Sequence, residues 1–165
     1  MSSTRWLLAN ALWLQAGWWL CVLGAQRPWL LSLVALGLGI HLYLSPARGS
    51  EVAALWRVAL AGCVLDSLLG ALGLFAFVAW PLPLWLALLW LVLASGLRHS
   101  LAWTGWPLWR GALVGGLGGP GAYVGGAGLA GVDLPLGPLP TALCLVPIWA
   151  LALPLLARLA AHQGR

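Results

Sequence analysis

The stretch VAALWRVALAGCVLDSLLGALGLFAFVA, residues 52–79, is almost wholly apolar and carries only two charged side chains, Arg57 and Asp66. A run of this length reads as a membrane-spanning helix, because about 20 residues at about 1.5 Å rise cross a hydrocarbon core roughly 30 Å thick. It is long enough to tilt or bend, and Pro81 and Pro83 end it and prepare the entry to the next helix. Asp66 stands near the middle of the run. A carboxylate in hydrocarbon costs several kcal/mol unless it is paired, hydrated, protonated or turned into the bundle. Gly62 and Gly70 lie one turn to either side of it on the same helix face and permit close helix approach.

The rest of the chain has the same character. Its 165 residues are 62% hydrophobic, with 8 basic and 3 acidic side chains, 22 Gly, 11 Pro and 13 Trp. This excludes an ordinary soluble domain, a disordered chain and a disulfide-stapled secreted scaffold. The basic residues are all Arg, single and dispersed, so no patch follows a phosphate backbone and nucleic acid is not an expected partner. Cys21, Cys63 and Cys144 fall inside apolar segments and read as small buried hydrophobes.

Working outward from 52–79, the expected fold is all-α: a polytopic membrane bundle of six transmembrane helices forming one domain over 1–165. The spans are expected at 6–24, 29–44, 52–79, 84–103, 111–130 and 141–160. The first reads as an uncleaved helix rather than a signal peptide. The second is short for a full crossing. With six spans, Arg5, Arg48, Arg57, Arg98, Arg110, Arg158 and Arg165 fall at or near one face, and Arg27 with Asp133 marks the other. The positive-inside rule then places both termini on the cytoplasmic side of the membrane. Trp6, Trp29, Trp80, Trp103, Trp106 and Trp109 lie near expected span ends, where Trp favours the headgroup level.

Arg98, His99 and Ser100 lie toward the cytoplasmic end of the fourth span. Antiparallel pairing with the third span is expected to set His99 about 9 Å from Asp66 along the membrane normal, making a carboxylate–histidine pair. Arg98 either joins it or snorkels to headgroups. Asn10, Gln15, His41, Asp66, Arg98, His99, Ser100 and Tyr123 are collected by depth into one polar cavity in the inner half of the membrane. Asp66, His99 and Tyr123 are its catalytic candidates. His41, His99 and His162 lack metal-motif spacing, so neither a metal nor another cofactor is expected.

Residues 115–128 form a glycine-rich run without the ending of a phosphate-binding loop. Gly115, Gly118, Gly119 and Gly125, like Gly62 and Gly70, are read as helix-packing positions, and Pro120 predicts a kinked or partly unwound helix. Pro147 and Pro154 predict kinks in the sixth span.

Asn10-Ala11 with Gln15 and Trp18, Gly62…Asp66…Gly70, Trp85 with Leu89-Trp90, Leu97…His99-Ser100…Trp103, and Gly118-Gly119-Pro120…Tyr123…Gly126 together resemble a bacterial inner-membrane family catalogued as domain of unknown function 2878. The resemblance covers nearly the whole chain. It implies no catalytic residue, and the occurrence of members near genes for membrane fatty-acyl modification implies a role in lipid metabolism. The expected function is therefore an accessory or lipid-binding component of membrane-lipid metabolism, with membrane lipid and a membrane or cytoplasmic enzyme as partners. The competing expectations are a lipid-modifying enzyme using Asp66 and His99, and a proton-coupled small-solute transporter.

Overall fold

A computed structural model of the chain describes residues 3–79 and 81–162. The expectations for Trp80 and Arg165 fall outside the described residues. Within them the chain is all-helical, with α1 (Ser3–Gly24), α2 (Leu30–Leu44), α3 (Arg48–Ala71), α4 (Leu84–Leu97), a 3-10 turn (Ala102–Gly105), α5 (Leu108–Ala130) and α6 (Pro138–Ala161).

Three of these, α1, α3 and α6, are long and apolar enough to cross a membrane. The all-helical expectation holds, and three of the six expected spans have the length and apolar character of a crossing helix. Helices α2 and α4 have 15 and 14 residues, or about 21–22 Å at the helical rise, against a core of about 30 Å. Helix α5 is long but glycine-rich and falls short in apolar character. The outer surface agrees with a membrane setting, since Leu12, Leu60, Leu117 and Leu151 are all about two-thirds exposed or more, which water would disfavour and lipid would not.

Helix α3 ends at Ala71 rather than at 79. Gly73 adopts φ +81°, a backbone conformation that side-chain-bearing residues rarely take, and it turns the chain out of the helix. The following residues form a strap in which the Ala76 amide donates to the Asp133 carbonyl at 3.0 Å. The strap lays Phe75 against Tyr123, with ring centroids 5.3 Å apart. Helix α4 likewise stops at Leu97, leaving Arg98, His99 and Ser100 in the turn beyond it.

Consecutive helices run antiparallel. The start of α1, the end of α2, the start of α3 and the turn after α4 meet at one end, through Trp6, His41, Glu51 and His99. The end of α6 joins them where Arg158 Nε donates to the Gly105 carbonyl at 3.3 Å. At the opposite end, Gln26 Nε2 donates to the Leu129 carbonyl at 3.0 Å, tying the turn after α1 to the end of α5. Arg48, Arg98 and Arg158 therefore share one end, and Arg27 stands at the other. Arg57, within α3, turns its guanidinium back along the helix to the Ala53 carbonyl, toward the arginine-rich end.

Helix α5 runs unbroken through Pro120, so the expected unwinding does not occur. Helix α6 passes through Pro147 and Pro154 in the same way. Glycine lets α5 and α6 approach closely: a Cβ at Gly115 would strike the Trp149 backbone, and one at Gly119 would strike the Trp149 ring. Across the core, Trp149 stacks on Trp90 with planes 3° apart and centroids 5.6 Å apart.

Candidate functional site

The expected single cavity is resolved into two polar groups at different depths. The first lies at the arginine-rich end and is centred on Glu51, a residue that falls between the expected spans 29–44 and 52–79. Glu51 is buried in the first turn of α3. Its Oε1 accepts from His41 Nε2 at 2.9 Å and from His99 Nε2 at 3.2 Å. Its Oε2 accepts from Arg98 Nη1 at 3.1 Å, and the same nitrogen donates to Ser50 Oγ. Arg98 thus joins the cluster rather than pointing away from it. The Trp6 ring stacks over His41 and donates its Nε1–H to His99 Nδ1 at 3.1 Å.

One donor atom each of His41, Glu51 and His99 lie within 4.8 Å of one another, a spacing that suits a metal ion. The proton count points elsewhere. An indole nitrogen only donates, so His99 Nδ1 must accept; the neutral ring then carries its proton on Nε2, aimed at Glu51. A metal on that Nε2 would need the proton moved to Nδ1, against the Trp6 N–H. With Arg98 as counter-charge and both carboxylate oxygens in use, the arrangement is a satisfied hydrogen-bonded ion cluster that joins four helix ends.

Asn10 and Ser100 belong to a second-level brace beside this cluster. Asn10 Nδ2 donates to the Ser95 carbonyl at 2.9 Å, and Ser100 Oγ donates to Asn10 Oδ1 at 2.6 Å. Trp13 Nε1 donates to Ser95 Oγ at 3.0 Å. These bonds fasten α1 to α4 and engage both the carbonyl oxygen and the amide nitrogen of Asn10.

The second polar group surrounds Asp66, which is fully buried. Its Oδ2 accepts from Trp90 Nε1 at 2.7 Å and its Oδ1 accepts from the Tyr123 hydroxyl at 2.6 Å. Because α3 stops at Ala71, Asp66 lies about 8 Å from that helix end, in the half remote from the arginines. Nine residues separate its partner Trp90 from His99 in sequence, equivalent to about 13 Å of helix rise. The expected Asp66–His99 pair is therefore not formed. Each side chain is bonded to other partners at its own depth.

Beside Asp66 lies a cavity of about 310 Å³. One wall comes from α1 through Leu14, Gln15 and Trp18, the facing wall from α5 through Gly118, Gly119 and Tyr123, and the floor from Trp90 and Trp149. Its lining is overwhelmingly apolar. Ala11, Gln15 and Gly118 line it and are also exposed, so it is a cleft opening sideways between α1 and α5, midway along both helices. Gly118 faces open space, as does Gly125, whereas Gly62 and Gly70 pack against Trp90 and Phe77. Gly118 thus serves to open a cleft rather than to pack a helix.

Of the residues expected to share one cavity, Gln15 and Tyr123 line this cleft and Asp66 stands directly behind Tyr123. His41, Arg98 and His99 form the separate Glu51 cluster, and Asn10 and Ser100 form the brace. Sequence reasoning missed Glu51 and the aromatic partners Trp6, Trp90 and Trp149. The usable signal for Glu51 was its place as an acidic residue in the first turn of a membrane helix, three residues after Arg48.

The chain belongs to the family described as Protein of unknown function (DUF2878), whose model matches residues 7–155. No curated protein and no solved structure matches it.

Proposed function

We propose that this DUF2878 member is a six-span inner-membrane protein that holds a lipid chain in the cleft between α1 and α5, as a lipid-binding or accessory component of membrane-lipid metabolism. The observation that carries this reading is the cleft itself. It is apolar, its volume of about 310 Å³ falls at the lower end of small-molecule sites of about 300–1,000 Å³, and its rim lies on the lipid-facing surface. A ligand enters such a site from the bilayer without crossing water. Tight floor packing by Trp90, Trp149 and Tyr123 supports a preformed pocket.

The gathering of Arg48, Arg98 and Arg158 at one end, with Arg27 at the other, supports both termini facing the cytoplasm. The short α2 and α4 then cross with their ends tucked below the headgroups, where the Glu51 cluster satisfies the polar groups of four chain segments. An enzyme that uses Asp66 and His99 in one acid–base step is not carried forward, because the two residues sit in separate clusters. Chemistry on the bound lipid falls to a membrane or cytoplasmic partner enzyme.

Native mass spectrometry after mild extraction tests the reading. One retained lipid per wild-type chain is expected, and Gly118→Phe, which places a ring in the open space before Gly118, should reduce retention at least about tenfold. Equal retention by both proteins would contradict it.

A further inference from the structure

We infer that the arginine-rich end carries a collar of guanidinium–aromatic pairs that binds the headgroups of anionic phospholipids in the adjoining leaflet. The inference rests on the membrane reading and is independent of what fills the cleft. The guanidinium carbon of Arg48 lies 5.2 Å from the Tyr43 ring centroid, that of Arg110 lies 5.7 Å from Trp109, and that of Arg158 lies 5.3 Å from Trp106. All three arginines are at helix ends: Arg48 opens α3, Arg110 is in the first turn of α5, and Arg158 is in the last turn of α6. The Gln26 bond holds the end of α5 at the opposite end of the bundle, so the start of α5, with Arg110, joins Arg48 and Arg158. A Cβ at Gly111 would strike the Thr104 carbonyl and Pro154, which packs that start against the 3-10 turn and α6. Tyr43, Trp106 and Trp109 are each more than 60% exposed, so these rings stand on the outer surface, at the level where aromatic side chains favour lipid headgroups.

The pairing sets what the collar can hold. Arg48 Nη2 donates to the Tyr43 carbonyl at 2.9 Å, and Arg158 Nε donates to the Gly105 carbonyl at 3.3 Å. Each guanidinium has further N–H donors in the planar fork that suits a phosphate. The ring contact and the backbone bond already restrict these side chains, so less freedom is lost when a headgroup binds. No carboxylate competes. Of the three acidic side chains, Glu51 is buried and bonded to Arg98, Asp66 is buried within the bundle, and Asp133 follows the end of α5 on the opposite side. The collar is therefore cationic, with no exposed acidic side chain beside it among the described residues. A zwitterionic headgroup brings its own cation into this field, whereas an anionic phospholipid brings net negative charge, and the interfacial rings favour a phosphate carried by a lipid over a free one.

Native mass spectrometry of the full chain, released from nanodiscs of equal parts dioleoylphosphatidylglycerol and dioleoylphosphatidylcholine, tests this. The two lipids differ only in headgroup, and the anionic one should exceed the other about tenfold among retained lipids. Arg110→Gln with Arg158→Gln should reduce that excess about fivefold or more, and Arg48→Gln, on a separate element, should reduce it by itself, with circular dichroism showing each variant folded. Trp106→Leu, which keeps Arg158 but removes its ring, should reduce it about two- to threefold. Arg27→Gln, at the other end, should leave it unchanged, as should Gly118→Phe, which fills the cleft. Loss of lipid in Gly118→Phe thus reads the cleft, and loss of headgroup preference in the arginine variants reads the collar. Equal retention of the two lipids by the wild-type chain would overturn the inference. So would an excess that survives in the folded arginine variants, or one that Arg27→Gln reduces as much as they do.

Discussion

Replacing Glu51 with leucine is expected to lower the stability of the detergent-extracted protein by about 3–5 kcal/mol, the cost of leaving buried ionic and polar partners without their acceptor. Arg98 would keep its charge beside an apolar side chain, and His41 and His99 would each lose the oxygen their Nε2 protons now meet. Because those residues come from the end of α2 and the turn after α4, the loss should loosen the arginine-rich end as a unit. Thermal unfolding followed by circular dichroism would read it as a markedly lower Tm. Glu51→Gln, which keeps one acceptor oxygen, should lose less. The pair Glu51→Leu with Arg98→Met should recover part of the loss, since an apolar pair can replace a buried ion pair with little penalty while a broken one cannot. A Glu51→Leu protein as stable as wild type would show that the cluster does not hold these ends together.

Gly62→Ala is expected to be among the most damaging single methyl additions in the bundle. An added Cβ at Gly62 would coincide with the Trp90 ring, which also bonds Asp66 and stacks on Trp149. Overpacking alone costs about 1–3 kcal/mol, and moving Trp90 away from Asp66 adds the cost of an unsatisfied buried carboxyl oxygen, about 1–3 kcal/mol more. Gly118→Ala makes the comparison sharp. Its Cβ meets nothing within 4 Å, so its stability should stay within about 0.5 kcal/mol of wild type. Side-by-side Tm values check both. Equal tolerance of the two substitutions would contradict the packing of α3 against α4 through Trp90.

The helical class of the chain was legible because long apolar runs leave few alternatives, and Gly62, Gly115 and Gly119 were legible as packing positions because small residues recur at helical spacing. The end of α3 was not. Residues 72–79 are as apolar as the helix before them, and composition does not distinguish a helix from a strap whose turn depends on Gly73 and whose anchor, the Asp133 carbonyl, lies far along the chain. That error moved Asp66 from the remote half of the bundle to its centre and produced the expected contact with His99. Glu51 was hidden for a different reason. A glutamate next to a polar connector reads as solvent-facing, and only the meeting of four chain segments shows that it is buried. Gln15 and Tyr123 were grouped by depth alone, and both line the cleft because both lie well inside their helices.

The central claim is that a lipid chain occupies the cleft between α1 and α5. Photolabelling with a diazirine-bearing lipid in native membranes, followed by peptide mapping, tests it most directly. The account predicts label concentrated on the cleft walls around Gln15 to Trp18 and Gly118 to Tyr123, and lost from both in Gly118→Phe, while background labelling at the exposed Leu60 and Leu151 persists. Label spread over the exposed faces, with no excess at the cleft and no response to Gly118→Phe, would contradict it.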